Sequence, residues 1–195
     1  NDLIISQLNN DLQEDHIAMT HAYMAYPGGE PLSLEENQAF IDLLSGLPNV
    51  TQVEGQAMYR ASWRNADDNA EEPAYERSDL LAYSLPFDDA QLEPVSRVIE
   101  GRYPVVGQNE IAVEQRFADK YELSVGDRLV FQTPGSTDAE PVEWEIVGLV
   151  FRPYFTISIA SGEDVLPEDS IFATYDDMQA ITGASGLNSF FARYT

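Results

Sequence analysis

Residues 107–132 read GQNEIAVEQRFADKYELSVGDRLVFQ. Glu110 to Val113 is a short apolar run with β-branched residues, as a strand requires. From Glu114 to Tyr121, Phe117 and Tyr121 fall four apart, on one side of a short helix. Val125-Gly126-Asp127 makes a tight turn into a second strand, Arg128 to Gln132. Strand, helix and strand within one short stretch predict an α+β domain. Downstream, Pro134 to Pro141 reads as a hairpin-like loop. Val142 to Val150 then alternates, with Val142, Trp144, Ile146 and, after Val147, Leu149 on apolar phases, so residues 125–150 read as a small antiparallel unit. Upstream, Gly101-Arg102-Tyr103-Pro104 breaks the chain. Before that break, in residues 91–100, Leu92, Val95, Val98 and Ile99 keep partial helical phase.

Toward the N-terminus, Leu3, Ile4, Leu8 and Leu12 approach helical spacing. His16 to Tyr26 alternates as a strand closed by Pro27-Gly28-Gly29. Ser33 followed by Glu36 is a capping box. Phe40, Ile41, Leu43 and Leu44 give that helix its apolar face, Gly46 a left-handed stop, and Pro48 a bar to continuation. Val50 to Trp63 follows as a long strand, so this part reads strand, helix, strand. Asn65 to Pro73, NADDNAEEP, reads as an exposed acidic loop. As calcium ligands its Asp67, Asp68, Glu71 and Glu72 lack the alternating spacing and central glycine of an EF-hand loop. Glu76 to Leu85 is a strand ending at Pro86. The segment from Phe151 to Ser170, with Tyr154, Phe155, Ile157 and Ile159, reads either as another strand folding back or as an exposed contact tip. Ser170 to Thr174 is a strand, Thr174 caps a helix reaching Ile181, Gly183 stops it, and Asn188 to Tyr194 is the last strand.

The chain has 195 residues, enough for one ordinary domain or two small lobes sharing a core. Its 34 Asp and Glu outnumber 10 Lys and Arg, giving a net charge of -24. That sign argues against nucleic acid and anionic membrane surfaces as direct partners. The acidity reads either as a solvated surface that resists aggregation or as adaptation to salt or an extracellular medium. No apolar run is long enough to cross a bilayer, and no signal peptide opens the chain. Cysteine is absent, which excludes disulfides, thiol catalysis and Cys-ligated zinc.

The sequence yields little chemistry. His16 and His21 are five apart, so on a strand they face opposite ways and make no metal pair. Paired carboxylates could serve a hydrolase, but with this many acids such pairs arise by chance. Neither a phosphate-binding glycine loop nor a Gly-x-Ser-x-Gly elbow occurs. The expectation is no catalytic residue, no cofactor and no metal.

An ordered set of motifs carries more weight. Leu92 to Pro104 (LEPVSRVIEGRYP) precedes Gly107-Gln108-Asn109-Glu110-Ile111-Ala112-Val113. Phe117-Ala118 and Leu123-Ser124-Val125-Gly126-Asp127-Arg128-Leu129 follow, then a strand ending Ile146-Val147-Gly148-Leu149-Val150. This set resembles the extracytoplasmic domain of FtsX-like and MacB-like ABC transporter permeases. The tail from Ser170 to Thr195 and the step from the Ser33-capped helix through Leu47-Pro48-Asn49-Val50 are similar to the same family.

The resemblance implies a two-lobed α+β fold. One lobe, residues 1–65 and 166–195, would be porter-like, built on the strand-helix-strand unit. A β-rich lobe, residues 66–165, would be inserted in it. Such a domain sits between membrane helices on the periplasmic or outer face of the cell membrane. The partners implied are a cytoplasmic ATPase subunit or domain, and a partner protein or substrate outside. In the family another helix and strand follow the last strand, so ending at Thr195 would leave an exposed strand edge and favour a homodimer. The expected role is a non-catalytic relay of ATP-driven motion. Its expected contact residues are Tyr154 and Phe155, with Asp67 and Asp68 on the acidic loop. The alternatives are a secreted acidic binding or adhesion module, which predicts a leader and no membrane helices, and a two-carboxylate hydrolase, which predicts a pocket with facing carboxyls.

Overall fold

The structure, a computed structural model, describes residues 17–20, 34–68, 70, 73–83, 97–132, 141–151, 156–157, 164–165 and 169–194. Strand β1 covers Ile17–Thr20 and helix α1 Leu34–Ser45, with Glu35 and Glu36 in its positively polarised first turn. Strand β2 covers Val50–Asn65, β3 Glu76–Tyr83, β4 Arg97–Gly101 and β5 Glu110–Glu114. Helix α2, Gln115–Tyr121, is capped by the Glu114 carboxylate, which accepts the Arg116 N–H. Strand β6 covers Arg128–Phe131 and β7 Glu143–Phe151. The two-residue strands β8, Thr156–Ile157, and β9, Asp164–Val165, pair with each other. Strand β10, Ser170–Phe172, leads to α3, Tyr175–Thr182, capped by Thr174 and closed by Gly183 at φ 67° as the sequence predicts. Strand β11 covers Ser189–Tyr194.

Two local expectations change. Residues 97–100, read in helical phase, form an edge strand paired with β7. Val98 packs inward while Ile99 is 50% exposed, and so short an alternation is masked by the accidental three- and four-residue spacing of Leu92, Val95, Val98 and Ile99. The left-handed residue after α1 is Asn49 (φ 69°) rather than Gly46. Gly46 and Leu47 instead donate back to Asp42 and Leu44, so the helix unwinds through tight turns before the chain reverses. The predicted helix over residues 3–12, both histidines, the Pro27 turn, Ser33, Glu71, Glu72, residues 133–140, Tyr154 and Phe155 lie outside the described residues.

The sheet runs β1-β11-β2-β3-β10-β5-β7-β4, and β6 pairs with both β2 and β7. Following β2, β3, β10, β5, β7 and β6 back to β2 therefore closes a six-stranded ring. Two of its contacts, β3 with β10 and β5 with β7, are parallel. One face of the ring gathers Trp63, Leu80, Ile111, Leu129, Trp144, Ile146 and Ile171, all nearly inaccessible. Phe117 from α2 packs against Trp63 with ring centroids 5.0 Å apart and planes tilted by 51°, and Met178 and Ile181 from α3 join the same core. The opposite face of the same strands buries a second cluster, Leu81, Ala112, Val150 and Phe172. In β7, Val147 is skipped in the ladder with β5, whose register steps from Ile146 to Gly148. This bulge is why the apolar phase of β7 shifts after Val147, returning Leu149 to the core.

A second layer is β1-β11-β2 covered by α1. Phe40 meets Phe190 edge-on at 4.8 Å, with Ile41 and Leu44 beside it. Leu43, expected on the inner face, points outward and is 64% exposed. Buried Asn37 faces inward from the helix. Its Oδ1 accepts the Leu187 N–H at 2.7 Å and its Nδ2 donates to the Leu187 carbonyl at 3.2 Å. The two-residue strands β8 and β9 stand where the sequence allowed a strand folding back.

Candidate functional site

Among the described residues, no group of three or more His, Asp or Glu could hold a metal ion. Four acids among the described residues are buried, and they face donors rather than one another. Glu54 accepts the Gln52 side-chain amide at 2.8 Å. Glu114 takes the Arg116 guanidinium, Nε at 2.9 Å and Nη2 at 2.5 Å. Asp79 takes Arg60 Nε at 3.1 Å. Asp177 takes the Thr174 hydroxyl at 2.6 Å. Each has a structural partner that accounts for its burial.

The best-organised polar feature is the loop between β4 and β5, residues 102–109. Gly101 has φ 73°, and a Cβ there would stand 2.1 Å from the Val147 carbonyl oxygen, so the chain crosses β7 at a distance only glycine permits. Arg102 then forks onto Glu110, Nη1 to Oε2 at 2.6 Å and Nη2 to Oε1 at 2.5 Å. Glu110 also accepts the Val105 N–H at 3.0 Å. The Arg102 fork, helped by the Val105 amide and opposed by partial burial, holds the Glu110 carboxyl below its ordinary value. Gln108 donates to the Val105 carbonyl at 3.3 Å, making a turn whose third residue, Gly107, has φ 74°, as a type II turn demands. The Gly107 N–H points at the Asp177 carboxylate, 3.2 Å from Oδ1, tying the loop to the start of α3. The Asn109 carbonyl accepts the Glu145 N–H at 2.9 Å.

This scaffold presents Val105 and Val106 to solvent, 50% and 54% exposed. The sequence reading passed over them. Their signal is an apolar β-branched pair in a turn, between buried Pro104 and Gly107, where polar residues are usual. Of the expected contact residues, Asp67 and Asp68 are exposed on the turn that ends β2. There the Asp68 side chain accepts the Ala70 N–H at 3.1 Å, and Arg64 donates to the Asp68 carbonyl at 3.1 Å. The turn thus organises itself from its own side chains and leaves both acids exposed.

Asn188, in the tail motif, has a backbone role. Its side chain accepts the Met58 N–H at 2.9 Å and donates to the Met58 carbonyl at 2.6 Å. It extends the pairing of β2 by one step beyond the end of β11. No helix among the described residues is long and apolar enough to cross a membrane.

Neither a protein-family model nor a curated sequence matches the chain. Solved structures do. The extracellular domain of the noncanonical ABC-type transporter YknZ from Gram-positive bacteria superposes with a TM-score of 0.51 at 15% identity, covering 88% of this chain and 80% of that one. The periplasmic region of MacB from Actinobacillus actinomycetemcomitans gives 0.50 at 9% identity, covering 85% and 72%. The chain has the α+β fold of the MacB-like extracytoplasmic domains of ABC transporters.

Proposed function

We propose that this chain is the non-catalytic extracytoplasmic domain of an ABC transporter permease and relays ATP-driven motion to a substrate or partner protein outside the membrane. The observation that carries the reading is the shared fold, which extends over most of the chain and of the transporter domains it matches. The long strand β2 supports it physically. Its sixteen residues span roughly 50 Å at about 3.3 Å per residue. Its first half pairs with β11 in the α1 layer and its second half with β3 and β6 in the ring. A displacement applied to one region is thus carried to the other along a single hydrogen-bonded strand.

The division into a porter-like lobe, residues 1–65 and 166–195, and a β-rich insert, residues 66–165, belongs to this proposal. So do the cytoplasmic ATPase, the flanking membrane helices and a homodimer. The strand edge expected near the C-terminus is not β11, which pairs on both sides with β1 and β2, so among the described residues the open edge of this layer is β1. Tyr154, Phe155, Asp67 and Asp68 remain the proposed contact residues, and the pinned valines Val105 and Val106 join them. The test is the intact protein purified with its ATPase in lipid vesicles. Deleting the domain should leave basal ATP hydrolysis and abolish the extracytoplasmic output. An intact protein without membrane segments or an associated ATPase would overturn the reading.

A further inference from the structure

We propose that the native state of this domain is stabilised by molar monovalent salt, and hence that the medium it works in is strongly saline. A small domain needs a net charge of only about 2–8 in magnitude to stay soluble. This chain carries -24, far beyond what solubility asks. Among the described residues five of its few cations are already engaged in ion pairs, Arg60 with Asp79, Arg102 with Glu110, Arg116 with Glu114, Lys120 with Asp169 and Arg128 with Glu143. Residues 1–59 hold nine acids and no Lys or Arg at all.

The arrangement of the acids decides what neutralises them. They are spread over the solvent face of every described helix: Glu35, Glu36 and Asp42 on α1, Asp119 on α2, Asp176 on α3. Exposed Glu76, Glu100, Glu143 and Glu145 continue the pattern on three strands, β3, β4 and β7. A basic partner or a bound ion would neutralise one gathered patch. A dispersed charge is met only by a diffuse atmosphere of cations. At about 0.1 M salt the screening length is about 10 Å, so neighbouring carboxylates still repel in the compact state; at about 1 M it is about 3 Å and that repulsion is gone.

The test is thermal unfolding of the whole chain, followed by the fluorescence of the buried Trp63 and Trp144, between about 0.1 M and about 2 M KCl. The midpoint should rise by roughly 10 °C or more. A flat or falling midpoint would overturn the proposal. Chloride salts also act on protein surfaces generally. The combined variant Glu35→Gln, Glu76→Gln, Glu100→Gln, Asp119→Asn separates the two causes. It should unfold at a higher temperature than the parent in low salt and respond less to added KCl. An unchanged salt response in that variant would overturn the proposal as well. The pair Glu35→Gln and Asp119→Asn should move both quantities in the same direction by less. None of these outcomes depends on the transporter reading.

Discussion

The ring and the α1 layer are built by different physics. The ring closes on itself around large side chains, Trp63, Phe117, Leu129, Trp144 and Ile146, packed from strands and from two helices. The α1 layer has fewer such residues and depends on amides that imitate backbone. Asn37 clasps Leu187 across 150 positions, and Asn188 clasps Met58 across 130. Apolar packing is non-directional and tolerates small shifts, whereas a bidentate amide fixes one alignment and fails when it moves. The ring is therefore the anchor of the fold, and the layer around α1 is the part whose position is set by a few polar contacts.

The sharpest way to break that contrast is in the ring. Phe117→Ala should cost about 3–5 kcal/mol, because it removes a fully buried ring between Trp63 and Tyr121 that α2 cannot refill. Denaturant unfolding followed by near-ultraviolet circular dichroism reads it. Next, Asn37→Leu should cost about 2–4 kcal/mol, since it strands the Leu187 N–H and carbonyl in a buried position. Hydrogen exchange should speed up in α1 and around residue 187 in that variant, and stay slow in β5 to β7. Equal acceleration in both regions would erase the distinction.

Glycine gives a finer comparison. Gly101 and Gly107 share nearly the same left-handed φ, but a Cβ at Gly101 meets the Val147 carbonyl and one at Gly107 meets nothing within 4 Å. Gly107→Ala should cost about 1–2 kcal/mol from backbone strain alone. Gly101→Ala should cost roughly 1–3 kcal/mol more, from overpacking. The smallest effect is electrostatic. Because the folded state lowers the Glu110 pKa, this carboxylate contributes stability that is complete above its ordinary value. That contribution is lost as pH falls through the lowered value. Arg102→Gln should flatten that acid limb of the stability-pH profile and leave the neutral region little changed.

What the sequence allowed to be read was local. The caps of α3, the helix after Ser33, the strand from Val50 and the phase shift after Val147 all follow from chemistry within a few residues. The closure of the ring is not local. It rests on β2 meeting β6, β3 meeting β10 and β5 meeting β7, and two of these contacts are parallel and join strands with no short connection. No pattern in the strands themselves names those partners. Leu43 shows a related gap: its spacing is apolar, but the face it shares is decided by where Asn37 docks. The candidate contact residues split the same way. Asp67 and Asp68 were legible as an acidic loop, whereas Val105 and Val106 stand out only once the Arg102–Glu110 fork and the Gly107 turn are seen to hold them in the open.

The central claim is that this domain stands outside the membrane as part of a transporter. The chain has no cysteine, so a single Asp119→Cys, at an exposed position of α2, gives a unique reporter within it. The measurement is labelling of that cysteine, in the intact membrane protein on whole cells, by a maleimide that does not cross membranes, with the unsubstituted protein as background. The account predicts full labelling without permeabilisation and a labelled product that stays in the membrane fraction. Labelling only after lysis, or a labelled product free in the medium, would contradict it.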